Sequence, residues 1–183
     1  MSAPPPEQPK LLTRLATVDD AAAIRDIYNL EVTNSIVTFD LVPRSLEDQR
    51  RWLSDRSGAH AVIVAEEMVD RHDGRGSSPV VVGYAALSPY RVRPAYSTSV
   101  EDSVYVHRDH QGKGVGKRLL RDLLDVAVAH GFHAVFARIV DGHGASIALH
   151  QALDFEHIGT EREVGRKFGR WLDVVLMQRL LQS

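Results

Sequence analysis

The stretch Gln111-Gly112-Lys113-Gly114-Val115-Gly116 constrains this chain more than any other. Glycine at 112, 114 and 116 lets the backbone turn tightly and approach a ligand closely. Before it, Ser99 to His107 alternates: Glu101, Ser103, Tyr105 and His107 point one way, Val100, Asp102, Val104 and Val106 the other. This predicts a strand with one polar face. After it, Gly114 to His130 carries Val115, Leu119, Leu120, Leu123, Leu124 and Ala127 on one helical face, with Gly131 placed as the C-terminal cap. A strand that enters a glycine turn and leaves as a helix offers unpaired N–H groups and a positive dipole end, which suit a pyrophosphate. Alone, the pattern also fits a plain cap or tight turn. It has neither the Gly-Lys-Ser/Thr ending of a P-loop nor the early position of a dinucleotide-binding turn.

The remaining elements are arranged around this unit. Leu11 to Leu15 is extended and apolar, and Ala21, Ile24, Ile27 and Tyr28 recur at helical spacing behind Asp19 and Asp20. Phe39 to Pro43 is an irregular connection, and Ser45, Glu47 and Asp48 open a second helix to about Arg56. Ala61 to Ala65 and Val80 to Leu87 are the predicted strands of a hairpin, whose oversized tip is a charged, glycine- and serine-rich loop over 66–79 to which no chemistry is assigned. Ala134 to Val140 is a strand and Ala145 to Leu153 a helix, and two strands follow around Gly165 and Gly169. This order, without internal repeat, predicts an α/β layer with a central mixed sheet.

Bulk properties exclude several classes. With 183 residues, 44% of them hydrophobic, the chain suits one domain over 11–183 behind a short disordered lead, residues 1–10, marked by Pro4, Pro5 and Pro6. A net charge of −2 gives no basic field for nucleic acid or anionic membrane. No apolar run reaches the roughly 18 to 20 residues that cross a bilayer, so a soluble, cytoplasmic protein is expected. The absence of cysteine removes disulfides, thiolate metal ligands and a thiol nucleophile together. Nine histidines invite a metal reading, but no HExxH or paired ligand spacing accompanies them, and no metal is expected.

Val104-Tyr105-Val106-His107, then Gln111-x-x-Gly114-x-Gly116, then Leu149-His150-x-x-Leu153-x-Phe155 one strand later, resembles in order and spacing the acetyl-CoA core of the GNAT superfamily of N-acetyltransferases. Within it the chain is most similar to the phosphinothricin and methionine sulfone or sulfoximine N-acetyltransferases. The supporting stretches are Val37-Thr38-Phe39, Tyr90-Arg91-x-Arg93-x-Ala95-Tyr96, Val100 to Val106 and Val164 to Val174. The likeness covers residues 12 to 180. It implies the GNAT fold, a mixed, mostly antiparallel, twisted sheet of about seven strands flanked by about four helices. It also implies direct transfer of acetyl from acetyl-CoA to the primary amine of a small amino-acid-like molecule, through a tetrahedral intermediate, in a homodimer whose pockets are bordered by partner loops.

On this resemblance Val104, Tyr105 and Val106 pair with the pantetheine arm, and Gln111, Gly112, Lys113, Gly114, Val115, Gly116 and Lys117 hold the pyrophosphate. Lys117 and Arg118 either add charge there or are solvated helix residues. Acetyl transfer to an amine requires a neutral nucleophile, donors for the developing oxyanion and an acid for the departing thiolate. Glu101 stands at the family's general-base position. His143, Ser146 and His150 share one helical stripe, and His150 is the candidate acid or part of the base relay, although a satisfied helix histidine fits the same spacing. Tyr105 is retained with Glu101 and His150 as a third catalytic candidate. Arg91 and Arg93 with Tyr96 are candidate grips for a carboxylate or phosphinate, against the alternative of an exposed loop, and Phe39 is a candidate wall of the acceptor pocket.

His143 stands where the family has asparagine, Gln151 where it has an acid and Asp154 where it has glycine. Ser97-Thr98 replaces Asp-Trp, and Leu172 replaces a histidine. These departures argue against phosphinothricin itself as the best substrate. Two other readings remain at this level: a protein or peptide acceptor, and an acyl-CoA-binding domain without turnover.

Overall fold

The computed structural model describes residues 11–56, 58–70 and 76–181, so the predicted lead lies outside the described residues. The elements are β1 (Leu12–Leu15), α1 (Ala21–Asn34), α2 (Leu46–Ser54), β2 (Val62–Asp70), β3 (Ser77–Pro89), β4 (Ser99–Val106), α3 (Val115–Ala129), β5 (Ala134–Val140), α4 (Gly144–Gln151), β6 (Glu156–Lys167) and β7 (Arg170–Leu180). The strands form one seven-stranded sheet in the order β1-β2-β3-β4-β5-β7-β6. Every neighbouring pair is antiparallel except β4 with β5. That parallel pair needs a crossover, and α3 supplies it.

The helix boundaries follow local chemistry. Ser45 caps α2 by accepting from the Asp48 N–H at 3.0 Å. α3 stops at Gly131, whose φ of 76° few other residues adopt cheaply. There Phe132 N–H donates to Ala127 O and Gly131 N–H to Val128 O, the paired bonds of a Schellman motif. Leu119, Leu120 and Leu123 of α3 are fully buried against β2, β3 and β4, each side chain stabilising the fold by about 1.5–3 kcal/mol.

Two sequence expectations change. The 66–79 loop is largely paired strand: Glu67 opposes Val80, and Asp70 opposes Ser77, beyond a bulge at Ala65/Glu66. Only 71–75, at its centre, lie outside the described residues. Cross-strand pairing overrides composition here, since a charged, exposed hairpin still satisfies its backbone groups across the ladder. The second change is that the β4 face carrying Glu101, Ser103 and Tyr105 is half-buried rather than open to solvent. Helices cover both sides of the sheet: α3 packs on one and α1 on the other. Tyr105 therefore lies in an aromatic cluster, stacked on Tyr84 with centroids 5.3 Å apart and edge-on to Tyr28 at 5.1 Å. Asp102 is buried on the opposite side.

Candidate active site

The parallel pairing of β4 with β5 is short. Ser99, Val100 and Glu101 oppose Ala134, Val135 and Phe136, and the ladder ends there. Beyond Glu101 the strands part, and residues 102–106 of β4 and 137–140 of β5 line one cavity of about 670 Å³. On its other edge β4 stays paired with β3. The parted edge thus turns a row of backbone N–H and C=O groups toward the cavity, as an edge strand offers them to an added strand or an amide-bearing arm.

The glycine turn closes one end. Gly112 and Gly114 have φ of 74° and 82°, and Gly114 is the N-cap of α3 without a side-chain cap bond. The first N–H groups of α3 are therefore left to a ligand, beside the positive end of the helix dipole. A Cβ on Gly116 would meet Leu149 at 3.4 Å and Val106 at 3.6 Å, ordinary contact distances, so this wall is closely packed around the glycine. Gln111, Gly112, Gly114, Gly116, Lys117, Val104, Tyr105, Val106, His143 and Ser146 all line the cavity. Val115 does not: it is 1% exposed in the core under α3. Lys113 is exposed and absent from the wall. Arg118 is committed to the helix surface by an ion pair with Asp122 at 2.6 Å. Helical geometry explains Val115 and Arg118, since successive residues of a first turn point in different directions.

Glu101 lines the cavity where the strands part. Burial pushes its carboxyl above the ordinary range; the Arg138 charge opposes this, while Asp102 and Glu161 add to it. Such a carboxylate is a better proton acceptor than a solvated one.

On the other face of β4, Asp102 Oδ2 lies 3.0 Å from His150 Nε2, with both side chains almost fully buried. His150 Nδ1 lies 2.7 Å from the Ser146 carbonyl, which can only accept, so Nδ1 carries a proton. Burial works against a charged ring, but the hydrogen bond and charge of Asp102, with the Ser146 carbonyl, outweigh it and raise the His150 pKa. Asp102 Oδ1 is buried with no hydrogen-bond partner among the described residues. His143, by contrast, is pushed down by burial, and as N-cap of α4 it makes no side-chain cap bond.

Phe39 lines the cavity and is fixed by tertiary contacts. Its ring lies on Gly165 so closely that any Cβ there would overlap it. Next to it, the buried ammonium of Lys167 donates to Thr38 O at 2.8 Å, and Tyr28 Oη bonds both Thr38 Oγ1 and Asp40. Arg91, Arg93 and Tyr96 stand apart from the wall: Arg91 lies over the rings of Tyr90 and Tyr96, 5.0 and 5.5 Å from their centroids. The sequence reading missed Asp102, Arg138 and Glu31, which all line the cavity. Asp102 and Arg138 carried a signal: Arg138 is the one charge in an otherwise apolar strand, and Asp102 interrupts the apolar face formed by Val100, Val104 and Val106.

Of the remaining departures, Asp154 adopts a φ of 63°, the conformation for which glycine is the ordinary choice. Gln151 is exposed, and Leu172 is buried on β7 opposite Gly165.

A parted sheet with a glycine turn at a helix start and a desolvated carboxylate at the point of parting is an arrangement that suits an acyltransferase. The chain belongs to the acetyltransferase (GNAT) family, whose model matches residues 23–155. It is 38% identical to phosphinothricin N-acetyltransferase of Streptomyces coelicolor over 96% of this chain and 99% of that one. It is 39% identical to the L-methionine sulfoximine/L-methionine sulfone acetyltransferase of Pseudomonas aeruginosa, covering 90% and 91%. A phosphinothricin acetyltransferase from Sinorhizobium meliloti, solved in complex with acetyl-CoA, superposes with a TM-score of 0.83 at 38% identity, covering 93% and 88%. A ribosomal-protein-alanine N-acetyltransferase from Brucella melitensis superposes equally, with a TM-score of 0.83 at 38% identity, covering 93% and 99%.

Proposed function

We propose that this N-acetyltransferase moves acetyl from acetyl-CoA to the primary amine of a small, free amino-acid-like acceptor. The observation that carries this reading is the half-buried Glu101 at the parting of β4 and β5, with Arg138 beside it. Acetyl-CoA supplies the activated acyl group as a thioester. The β4 edge over 104–106 pairs with its amide arm, and the turn from Gln111 with the N–H groups of α3 and Lys117 holds its phosphates. Leu149 and Gly116 shape the channel between them.

Glu101 takes the proton of the acceptor ammonium, so the amine is neutral when it attacks. His150, held between Asp102 and the Ser146 carbonyl, is the proton reserve on the opposite side of β4. As the amine forms the new C–N bond and the C–S bond of the thioester breaks, the Nε2 proton, freed by exchange of the Asp102 bond, goes to the departing CoA thiolate. Tyr105 acts as a wall with Phe39 rather than as an acid, because burial pushes its phenol well above its ordinary value.

The exposed apolar side chains of Leu41, Val42, Phe168 and Trp171 support a homodimer. In such an assembly the exposed Arg91 and Arg93 loop would border a partner's pocket. Light scattering should give twice the chain mass, and a monomer at micromolar concentration would overturn it. For the activity itself, thiol release from acetyl-CoA should be selective for one amino-acid analogue among methionine sulfone, methionine sulfoximine, phosphinothricin, ordinary amino acids, polyamines and short peptides. Turnover of peptides alone would transfer the reading to a protein acceptor.

A further inference from the structure

Glu101 opposes Phe136 in the β4–β5 ladder, so both project from the same sheet face. Arg138, two residues further along β5, shares that face. It lines the cavity, and its charge reaches Glu101. Its guanidinium is not free: Nη2 donates to Glu161 Oε2 at 2.6 Å, and Nη1 approaches Oε1 at 3.5 Å. Glu161 belongs to the far edge strand β6, two strands away from β5 in the sheet order. It stands where the β6–β7 register slips, between Glu161 and Gly165.

Three features make this pair unlike a structural bridge. Both side chains are about a third exposed, 37% and 33%, and ion pairs with that access to water hold little net stability. Glu161 adjoins irregular backbone, which lets its carboxylate move without breaking a ladder. Arg138 also presents a planar fork of N–H groups that matches a carboxylate bidentately. A carboxylate of the chain itself already occupies that fork.

We infer that Arg138 is the residue that recognises the carboxylate of the acceptor, and that Glu161 is its resident competitor, displaced when the acceptor binds. The inference rests on the reading of the chain as an acetyltransferase of small amines. An α-amino acid then spans the two charges on this face, its ammonium toward Glu101 and its carboxylate on Arg138. A peptide N-terminus has an amide in place of that carboxylate and forfeits the contact. Displacement leaves Glu161 near solvent on the edge strand, where it is readily hydrated. Acceptors that lack an acid leave the Arg138–Glu161 pair intact, so Arg138 discriminates by charge between molecules of nearly equal shape.

The test is steady-state thiol release from acetyl-CoA with L-methionine sulfone and with its α-carboxamide, using wild type, R138Q, R138K and E161Q. In R138Q the KM for the acid should rise about 10- to 100-fold, the loss expected of a charge-assisted pair, while the KM for the amide moves less than about threefold. R138K should recover part of the loss. E161Q should lower the KM for the acid and leave the amide unchanged, a gain that misfolding cannot imitate. Thermal melting and acetyl-CoA binding of each variant give the folding control. Equal losses on acid and amide in R138Q, or an E161Q variant that matches wild type on both, would overturn the inference alone. Wild type that binds acetyl-CoA but turns over neither compound would overturn the underlying reading as well, and the inference with it.

Discussion

The proposed donor half of the cavity and the proposed acceptor half are built by different means. The donor half is backbone: a parted strand edge, glycines at 112, 114 and 116, and the uncapped start of α3. The acceptor half is side chains from distant segments, with Phe39 seated on Gly165, Lys167 on the Thr38 carbonyl and Arg138 on Glu161. Backbone recognition tolerates sequence change and keeps one donor. Side-chain recognition can be re-set position by position, so acceptors can differ among chains that share the donor half.

The contrast can be broken most severely at Glu101. E101Q should lower kcat by about 10²- to 10⁴-fold, the usual contribution of a positioned base, with the acetyl-CoA Kd nearly unchanged by calorimetry. Because burial raises the Glu101 pKa, the wild-type rate should fall on the acid side at a pH above the ordinary glutamate value of about 4.3. The variant should lose that limb. An unchanged rate would mean that water or another group removes the proton.

Gly114 separates the halves in the other direction. G114V forces a β-branched residue to a φ of 82°, a strain of about 1–3 kcal/mol, and tilts the amides of the proposed phosphate site. The Kd for acetyl-CoA should rise about tenfold or more, with acceptor KM little affected when donor is saturating. Retained affinity would reduce the turn to a helix cap.

Asp102 tests the boundary between them. In wild type the His150 pKa is raised, so its pairing stabilises the fold fully below the unfolded imidazole value of about 6.5 and loses this as pH rises through the folded value. D102N should lower the His150 midpoint in an NMR titration. It should also melt below wild type in the acid range, by a margin that shrinks as pH rises. A midpoint that stays raised would mean that Asp102 does not hold the proton.

The smallest effect should come from His143, the N-cap of α4 without a cap bond. H143N should raise stability by at most about 1 kcal/mol in thermal melts. A loss of stability would mean that the half-buried ring contributes packing that asparagine cannot replace.

Much of the architecture was legible residue by residue, because its signals are local. Hydrophobic spacing predicted α3, Ser45 predicted the start of α2, and Gly131 predicted the end of α3. The β2–β3 hairpin was legible, but its continuation to Asp70 and Ser77 was not, since charge and glycine disguised residues held by cross-strand bonds. In the cavity wall, the glycine turn could be named from the chain, while Glu101 was singled out by the family likeness, from which the proposed roles of both come. Arg91, Arg93 and Tyr96 were drawn toward the cavity by proximity along the sequence, and the fold sets them outside its wall.

By itself, the sequence determined where the chain turns, caps and alternates, because those depend on the stereochemistry of neighbouring residues. The tertiary structure alone decided which charges meet. Asp102 finds His150 across 48 residues and Arg138 finds Glu161 across 23. Contacts of that range depend on strand order and on the point where β4 and β5 part, and no local spacing encodes either.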